Sequence, residues 1–355
     1  MKTEVQRITS ANTKVRRLGY FVLFSKTVRE SPTPKQLLQQ RILNEKIRVQ
    51  NRKLLEEACK RLSVKRTTSE IVTGEICSED AFQRYLETAI QLGLLLEFSG
   101  RLYNTKRGEI LSALSNNDNP FRLSMSQSYL MLKALLERDY DYLRTTVLCS
   151  KRNGQDEYEG FLSMVKGLWQ KKIDEASPRD SESYDKLKQA IRTEWKNPVR
   201  YYHESIKAPR LEWLLDLNVI EFWNIPRNRV TFHGNTDMLL DGKEEHYSYA
   251  FASYMKPLLK GPITYWKEIP SSRQDEIVEG LLIESFNLFR VSDAISKISA
   301  SQFLEYCLSI LSSSGVVCEI EDLDATLERV AKSKADNYRY VKIISEADRG
   351  YISRI

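Results

Sequence analysis

Apolar and polar positions along this chain predict three places where a helix leads directly into a strand. In each, apolar residues recur at helical spacing, a Gly or Asn follows, and a short apolar run comes next. The segments are FQRYLETAIQLGLLLEF (Phe82 to Phe98), RLEWLLDLNVIEFW (Arg210 to Trp223) and FLEYCLSILSSSGVVCEI (Phe303 to Ile320). Since Gly and Asn tolerate the left-handed conformation that ends many helices, we expect a helix that stops at this residue in all three.

The chain before the first of these segments predicts an arm followed by helix. The apolar run from Val15 to Phe24 favours a strand or an extended arm, and the SPTP sequence from Ser31 to Pro34 ends it. From Lys35 to Leu62 there is no Gly or Pro, and the apolar spacing is approximately helical. This stretch predicts one long helix, or two helices that abut.

The first helix-to-strand segment is completed by a hairpin. Ser78 is placed to cap the helix that Gly93 ends, and Ser99 with Gly100 predicts a tight turn between two short strands. With Leu54 to Leu62 as its first helix and, as its second, a short helix through Val72 that follows the capping sequence TTSE (Thr67 to Glu70), the unit has the order helix, helix, helix, hairpin.

The second and third segments predict hairpins as well. In the second, the strand Val219 to Trp223 turns back into the strand Val230 to His233. In the third, Val316 to Ile320 is expected to pair with Tyr338 to Ile344 across a helical insertion, Leu323 to Ala331.

This order of elements resembles the tandem winged-helix proteins of prokaryotes, which occur in replication initiators, in the recognition parts of some restriction enzymes and in phage-defence operons. The resemblance implies a mainly α fold with small β-wings, in which a helical spacer joins three winged-helix units. The expected segments are a basic N-terminal arm and helix (1–50), winged helix 1 (51–115), a helical spacer (120–183), winged helix 2 (184–240), a connecting helix (245–262) and winged helix 3 with a helical insertion in its wing (272–355).

Charge divides the chain unequally. The net charge is +6, but residues 1 to 66 alone carry 17 Lys and Arg against 5 Asp and Glu, or +12, which leaves −6 for the rest. Such asymmetry points to a contact with nucleic acid or another anionic surface at the basic end. The five cysteines are scattered without a CxxC, which argues against a disulfide framework or a zinc site. The early apolar run is too short to span a membrane, so a cytoplasmic protein without membrane contact is expected.

A winged helix places its third helix in the major groove of DNA and its wing against phosphates. We therefore expect double-stranded DNA to be the partner of the basic segment and of the first two units. The candidate contacts are Arg16, Arg17, Arg48, Arg52, Lys53, Lys65, Arg66, Gln83, Arg84, Arg101, Lys106, Arg107, Arg200, Lys207, Arg210, Arg227 and Arg229. Acidic residues surround the predicted third wing, so that unit is expected to bind a protein partner or a second copy of the chain.

Catalytic motifs are weak. No GxxxxGK[ST] or GxGxxG element occurs, and the three histidines lack metal-ligand spacing. Asp180 with Glu194, and Asp237 with Asp241, vaguely fit the acidic ligands of a metal-dependent nuclease, but neither pair lies on predicted strands. We expect a non-enzymatic protein without cofactor or metal, such as the DNA-recognition subunit of a prokaryotic defence or mobile-element system. The alternatives are an assembly subunit of a nuclease or ATPase complex, and a nuclease with an unrecognised site.

Overall fold

Helices dominate the chain and its strands are short, which confirms the predicted class, mainly α with small β-sheets. The computed structural model describes residues 7–11, 14–29, 31–61, 74–114, 118–151, 157–175, 182, 185, 189, 202–224, 229–233, 247–259, 261–289, 296–343 and 349–355. The chain divides into two compact units. Unit 1 comprises Met1–Tyr103, Asn117–Arg122 and Met131–His233, and unit 2 comprises Asn104–Asn116, Leu123–Leu130 and Gly234–Ile355.

The elements follow one another in chain order as helices with short strands between them. The described α-helices are α1 (Gly19–Arg29), α2 (Lys35–Leu43), α3 (Glu45–Arg61), α4 (Glu79–Gln91), α5 (Lys106–Ala113), α6 (Met125–Arg138), α7 (Tyr140–Lys151), α8 (Glu157–Glu175), α9 (Ala208–Asp216), α10 (Tyr247–Met255), α11 (Ser271–Phe289), α12 (Ala300–Ser313) and α13 (Ile320–Ser333). The described strands are β1 (Thr33–Pro34), β2 (Leu95–Phe98), β3 (Arg101–Asn104), β4 (Ile220–Asn224), β5 (Arg229–Phe232), β6 (Thr264–Tyr265), β7 (Lys297–Ser299), β8 (Val316–Val317), β9 (Tyr338–Lys342) and β10 (Gly350–Arg354). A π-helical segment, Tyr202–Lys207, precedes α9.

In unit 1, the apolar run predicted as a strand or an arm is helical from Gly19 onward, where α1 begins, so the prediction was wrong for that part; Val15 to Leu18 precede the helix. Tyr20, Phe21, Phe24 and Val28 are all buried, and their spacing places them along one side of a helix. Aromatic residues suit strands as well as buried helices, so the run alone did not discriminate. Tyr20 contacts Tyr85 of α4, with 4.9 Å between ring centroids.

The stretch from Lys35 onward forms two abutting helices, the second of the two predicted alternatives. α2 ends at Leu43, and α3 begins at Glu45. Asn44 separates them, with ψ near 130°, and its Oδ1 atom accepts a hydrogen bond from the backbone N–H of Lys46 at 3.1 Å. The chain therefore changes direction at Asn44, and the Asn44 side chain caps α3.

A three-stranded sheet in unit 1 follows the order β1-β3-β2. β1 pairs antiparallel with β3, with Thr33 opposite Leu102. Ser99 (φ 50°) and Gly100 (φ 72°) form the predicted turn between β2 and β3, and these positive angles match a type I′ hairpin. The edge strand β2 buries Leu95 and exposes its other three residues.

All three predicted helix-to-strand transitions contain a left-handed residue after the helix. These residues are Gly93 (φ 70°), Asn218 (φ 57°) and Gly315 (φ 80°), which follow α4, α9 and α12. After α4, the N–H of Gly93 donates to the carbonyl of Ile90 and that of Leu94 to Ala89, each at 2.9 Å. This is the Schellman pattern, which satisfies carbonyls that the helix end leaves without partners.

The strand pairing predicted for the third segment is wrong. β8 pairs in parallel with β6, placing Val316 opposite Thr264. β9 pairs with β10, which also pairs with β7, so the second sheet has the order β7-β10-β9. Helix α13 therefore precedes a hairpin of two later strands and is not an insertion within a wing.

The predicted helical spacer falls largely in unit 1, where α7 and α8 enclose a separate core. Tyr142, Phe161 and Trp169 are buried there together with Tyr202 of the π-helical segment. The rings of Phe161 and Tyr202 lie 4.6 Å apart. Tyr202 belongs to the segment that leads into α9, the helix that carries Arg210, one of the predicted DNA contacts.

Candidate nucleic-acid interface

Helix α3 has a net positive charge, with six Lys and Arg against three Glu, although it also exposes the acids Glu45 and Glu57 and the apolar side chains of Ile47 and Val49. Leu55 and Ala58 are buried, together with Asn51 one turn earlier, and this spacing defines a helical stripe. On the other side Lys46, Arg52 and Lys53 are exposed. The helix is held by two hydrogen bonds to its carbonyls, from Asn119 Nδ2 to Leu54 at 2.7 Å and from Arg122 to Glu57 at 3.2 Å.

A groove of about 800 Å³ lies where α3 meets the last turns of α1 and α2. Three of its lining residues are cations, one from each helix, namely Lys26, Arg41 and Lys46. Asp118 is the acidic residue among those that line it. We call this feature the basic groove.

The rest of the lining combines neutral polar groups with an apolar floor. Side-chain amides come from Gln40, Asn44, Gln50 and Asn51, and apolar surface from residues such as Leu23. Amides donate and accept hydrogen bonds without adding charge, so the three cations determine the sign of the potential. The basic groove is therefore suited to a phosphate backbone or another extended anion.

Two of the predicted α3 contacts share an acidic partner. Glu75 Oε2 accepts hydrogen bonds from Arg52 Nε at 3.0 Å and Nη2 at 2.7 Å, and Arg48 lies 3.7 Å from the other carboxylate oxygen. The bond to Glu75 raises the pKa of Arg52 above its usual value. Arg52 still exposes about half of its side chain, so Glu75 reduces the charge of this face without covering it.

The structure contradicts three of the predicted DNA contacts, because their side chains are buried. Arg17, Lys207 and Arg210 are each 1% exposed, too little to meet a phosphate. Arg17 lies 2.8 Å from both Glu212 and Asp216 of α9, so these acidic side chains neutralise its charge inside unit 1. These residues were selected from charge and position in the sequence, which do not reveal burial.

Burial shifts the pKa of two carboxyl groups in unit 1 upward. Burial raises the pKa of Asp216 to about 6, although Arg17 and the N–H of Leu18 oppose the shift. Burial also raises the pKa of Asp139, against the attraction of Arg210. Asp139 Oδ1 accepts a hydrogen bond from the backbone N–H of Ile8 at 2.7 Å. This bond holds the segment before α1 against the rest of unit 1.

The exposed face of α4 is internally neutralised. Gln83 donates to Glu87 at 3.0 Å, and Arg84 lies 3.6 Å from Glu87 and 3.8 Å from Asp80. Asp80 also pairs with Lys14, which together with Arg84 lowers the pKa of the Asp80 carboxyl. The predicted Gln83 and Arg84 contacts are thus engaged within the helix, and acids flank them.

The remaining predicted residues are distributed more widely. In unit 1, Arg101 is exposed at the start of β3, whereas Arg16 is half-buried and its backbone N–H donates to the Tyr85 hydroxyl at 3.0 Å. In unit 2, Lys106 is exposed at the start of α5. The structure contradicts the predicted DNA contact of Arg107. Its guanidinium donates hydrogen bonds to Glu305 through Nε at 2.9 Å and Nη2 at 2.6 Å, and its side chain is 14% exposed.

Several predictions lie outside the described residues. These are Lys65, Arg66, Arg200 and Arg227, the side chain of Arg229, which starts β5, and the short helix predicted from Thr67 to Val72. The acidic pairs considered for a nuclease, Asp180 with Glu194 and Asp237 with Asp241, lie outside them as well. Sequence reasoning in turn did not select Lys26, Arg41 or Lys46, although all three contribute to the +12 charge of residues 1 to 66.

Helix α13 of unit 2 has the opposite charge. Glu321 and Asp322 open it, and Asp324 and Glu328 follow. Lys342 of β9 lies 2.7 Å from both Asp324 and Glu328. Acidic side chains therefore outnumber basic ones on α13. This helix comes immediately before a hairpin, as α4 does in unit 1.

Within the described part of the chain, no group of three His, Cys, Asp or Glu residues is arranged to hold a metal ion. None of the described helices is long and apolar enough to cross a membrane. No protein-family model, curated protein or solved structure gives a significant match to this chain.

Proposed function

We propose that this protein binds duplex DNA without catalysing a reaction, and that unit 1 makes the contact through the basic groove and the exposed face of α3. The observation that carries this proposal is the convergence of Lys26, Arg41 and Lys46 from three helices on one open groove. Cations that neutralise phosphates release condensed counterions, which gives affinity that depends little on sequence and strongly on salt.

We also propose that each of the two units contains one winged helix, so that there are two in place of the three expected from the sequence, with different bounds. In unit 1 the order α1, β1, α2, α4, β2, β3 and the sheet order β1-β3-β2 support this assignment. In unit 2 the order α11, β7, α12, α13, β9, β10 and the sheet order β7-β10-β9 support it in the same way. Helix α3 is then an insertion between the second and third helices of the first copy.

The distribution of charge argues against a DNA contact through the third helix of the winged helix. In unit 1 that helix is α4, where Glu79 is an exposed acid and Arg84, the cation of the helix, lies beside Asp80 and Glu87. The inserted helix α3 and the groove beside it supply the positive surface instead. We therefore infer that α3 carries most of the phosphate contacts and that recognition depends little on base sequence.

The test measures the affinity for a labelled duplex between about 50 and about 200 mM salt. The groove variant replaces Lys26, Arg41 and Lys46 with Gln, which removes three charges and keeps polar side chains. Each phosphate that the variant no longer neutralises should flatten the log–log salt dependence by about one unit, so a decrease of about three is expected.

A matched control variant removes the same number of positive charges from positions outside the basic groove. Lys166, Lys332 and Arg339 are exposed in the structure, and replacing them with Gln should leave the slope near that of the unmodified protein. The proposal is overturned if the unmodified protein shows a flat salt response. It is equally overturned if the control variant loses as much affinity as the groove variant.

For unit 2, the acidic helix α13 favours a second candidate function, binding of a protein partner or a second copy. Glu321 exposes 68% of its side chain, and Glu328 exposes 36% of its own. Replacing both with Lys should lower the mass in sedimentation velocity if this helix joins two copies. An unchanged monomer in both proteins would rule out self-association here. A cytoplasmic location and a place in a prokaryotic defence or mobile-element system stay predictions from the sequence.

A further inference from the structure

The hairpin of β2 and β3 exposes an aromatic side chain at its tip. Phe98 is the last residue of β2 and is 67% exposed. A Cβ atom on Gly100 in the turn would meet no described atom within 4 Å, so this side of the tip is open. A large apolar side chain in this position costs solvation free energy, which a ligand that covers it would recover.

An exposed cation accompanies the aromatic ring. The two-residue turn of Ser99 and Gly100 places Phe98 directly opposite Arg101, so the two side chains share one face of the hairpin. Leu96 lies on the same face because side chains alternate along a strand, and it is 55% exposed. The outer face of the hairpin therefore combines a ring, a guanidinium and an aliphatic side chain.

Helix α2 links this tip to the basic groove. The N–H of Lys35, at the start of α2, donates to the carbonyl of Gly100 at 3.2 Å, and Arg41 near the end of α2 lines the groove. Six residues of α-helix rise about 9 Å, which is the length of two to three nucleotides at about 3.4 Å each. A nucleic-acid strand held in the groove thus has its neighbouring nucleotides within reach of the hairpin tip.

We propose that Phe98 stacks on an unpaired or terminal base of duplex DNA whose phosphate backbone contacts the basic groove, while Arg101 contacts the adjacent phosphate. The substrate class is duplex DNA that offers an accessible base, at an end, a mismatch or a fork. Aromatic side chains stack on any exposed base because every base has a π-face, and they also act as wedges between base steps. This inference rests on the proposed DNA binding and narrows it.

A docked protein or a second copy would use the same face differently. Apolar contact depends on buried area, and Leu96 and Phe98 would both contribute to it. Stacking needs a planar ring, so Leu96 should matter little to DNA. Arg101 beside Phe98, on a hairpin that α2 links to the groove cation Arg41, favours the nucleic acid.

The experiment compares Phe98→Ala with its matched control, Leu96→Ala, on a continuous duplex and on a fork of the same sequence. For the unmodified protein we expect tighter binding to the fork. Phe98→Ala should lower the affinity for the fork by about 5- to 150-fold, and the affinity for a duplex without accessible bases by less. Phe98→Trp should restore the preference, and Leu96→Ala should keep it. A fluorescent base analogue at the first unpaired position should be quenched on binding only when residue 98 is aromatic.

The outcomes separate this inference from the function on which it rests. If the groove variant loses salt-dependent duplex binding while Phe98→Ala leaves the fork preference unchanged, stacking is refuted and duplex binding stands. If the unmodified protein binds neither DNA, both proposals fail. If Phe98→Ala and Leu96→Ala both convert a dimer to a monomer, the hairpin face is an interface between copies, and the stacking proposal is overturned.

Discussion

The guanidinium of Arg210 lies 2.6 Å from the carboxylate of Asp139, and both side chains are almost completely removed from solvent. Arg210 also donates to the carbonyl of Ile206 at 3.0 Å, and Asp139 accepts from the N–H of Ile8. The pair therefore joins α9, the residues between α6 and α7, and the segment before α1. Its function is structural, which explains why a basic residue near a predicted helix start is inaccessible to DNA.

Arg210→Ala should destabilise unit 1 strongly, because it leaves the carboxylate of Asp139 buried without its cation. Breaking a buried pair from one side costs about 3 to 5 kcal/mol. Urea unfolding followed by circular dichroism measures the change. Arg101→Ala, at an exposed position, is the control and should shift stability by less than about 0.5 kcal/mol. Equal effects of the two substitutions would contradict the importance of the buried pair.

The raised pKa of Asp216 predicts a pH dependence of stability. Its pKa is about 6 in the folded protein against an ordinary value of 3.8, so the folded state holds this proton more tightly than the unfolded state does. The resulting stabilisation is complete below about pH 4 and is lost as the pH rises through 6. As the pH rises from about 4 to above 6, the free energy of unfolding of the unmodified protein should fall by about 3 kcal/mol relative to that of Asp216→Asn, because the Asn side chain does not titrate.

Urea unfolding of both proteins at several pH values tests this difference. Subtracting the two curves removes the titration of all the other groups that the proteins share. A difference that is constant between pH 4 and pH 7 would show that Asp216 has an ordinary pKa in the folded state.

Gly93 and Gly167 should respond in opposite directions to the same substitution. Gly93 has φ 70° after α4, a conformation that costs other residues about 1 to 2 kcal/mol, so Gly93→Ala should destabilise the protein by that amount. Gly167 lies within α8, and a Cβ there meets no neighbour within 4 Å. Gly167→Ala should therefore stabilise it by about 0.5 to 1 kcal/mol. Shifts of the same sign in the melting temperature would contradict this assignment.

The helix ends were predictable from sequence because they depend on local chemistry. Gly93, Asn218 and Gly315 adopt left-handed conformations through hydrogen bonds to the preceding turn, and Ser78 caps α4 through residues three positions away. Strand partners were less predictable. Nothing local to Val316 indicates that it pairs with Thr264, because that choice depends on how helices far apart in the chain pack.

The candidate site was predictable only as a charge imbalance. The excess of cations before residue 67 indicated the right part of the chain, and Arg48, Arg52 and Lys53 do lie on α3. The convergence of Lys26 with Arg41 and Lys46 is tertiary, since it needs three helices to meet. Burial of Arg17 is tertiary for the same reason, because its two acidic partners lie about 200 positions later in the chain.

Glu75 offers a test in which removing one charge should strengthen DNA binding. Its carboxylate bonds Arg52 and lies 3.7 Å from Arg48, so it cancels part of the charge on the α3 face. Glu75→Gln keeps a similar shape and makes both cations accessible to phosphates, which should steepen the log–log salt dependence by about one unit for each additional phosphate that is neutralised. Glu79→Gln is the matched control, because it removes the same charge from an exposed position on α4. A salt dependence that changes equally in both variants would show that only net charge matters, whereas a steeper slope confined to Glu75→Gln would place the α3 face against the DNA.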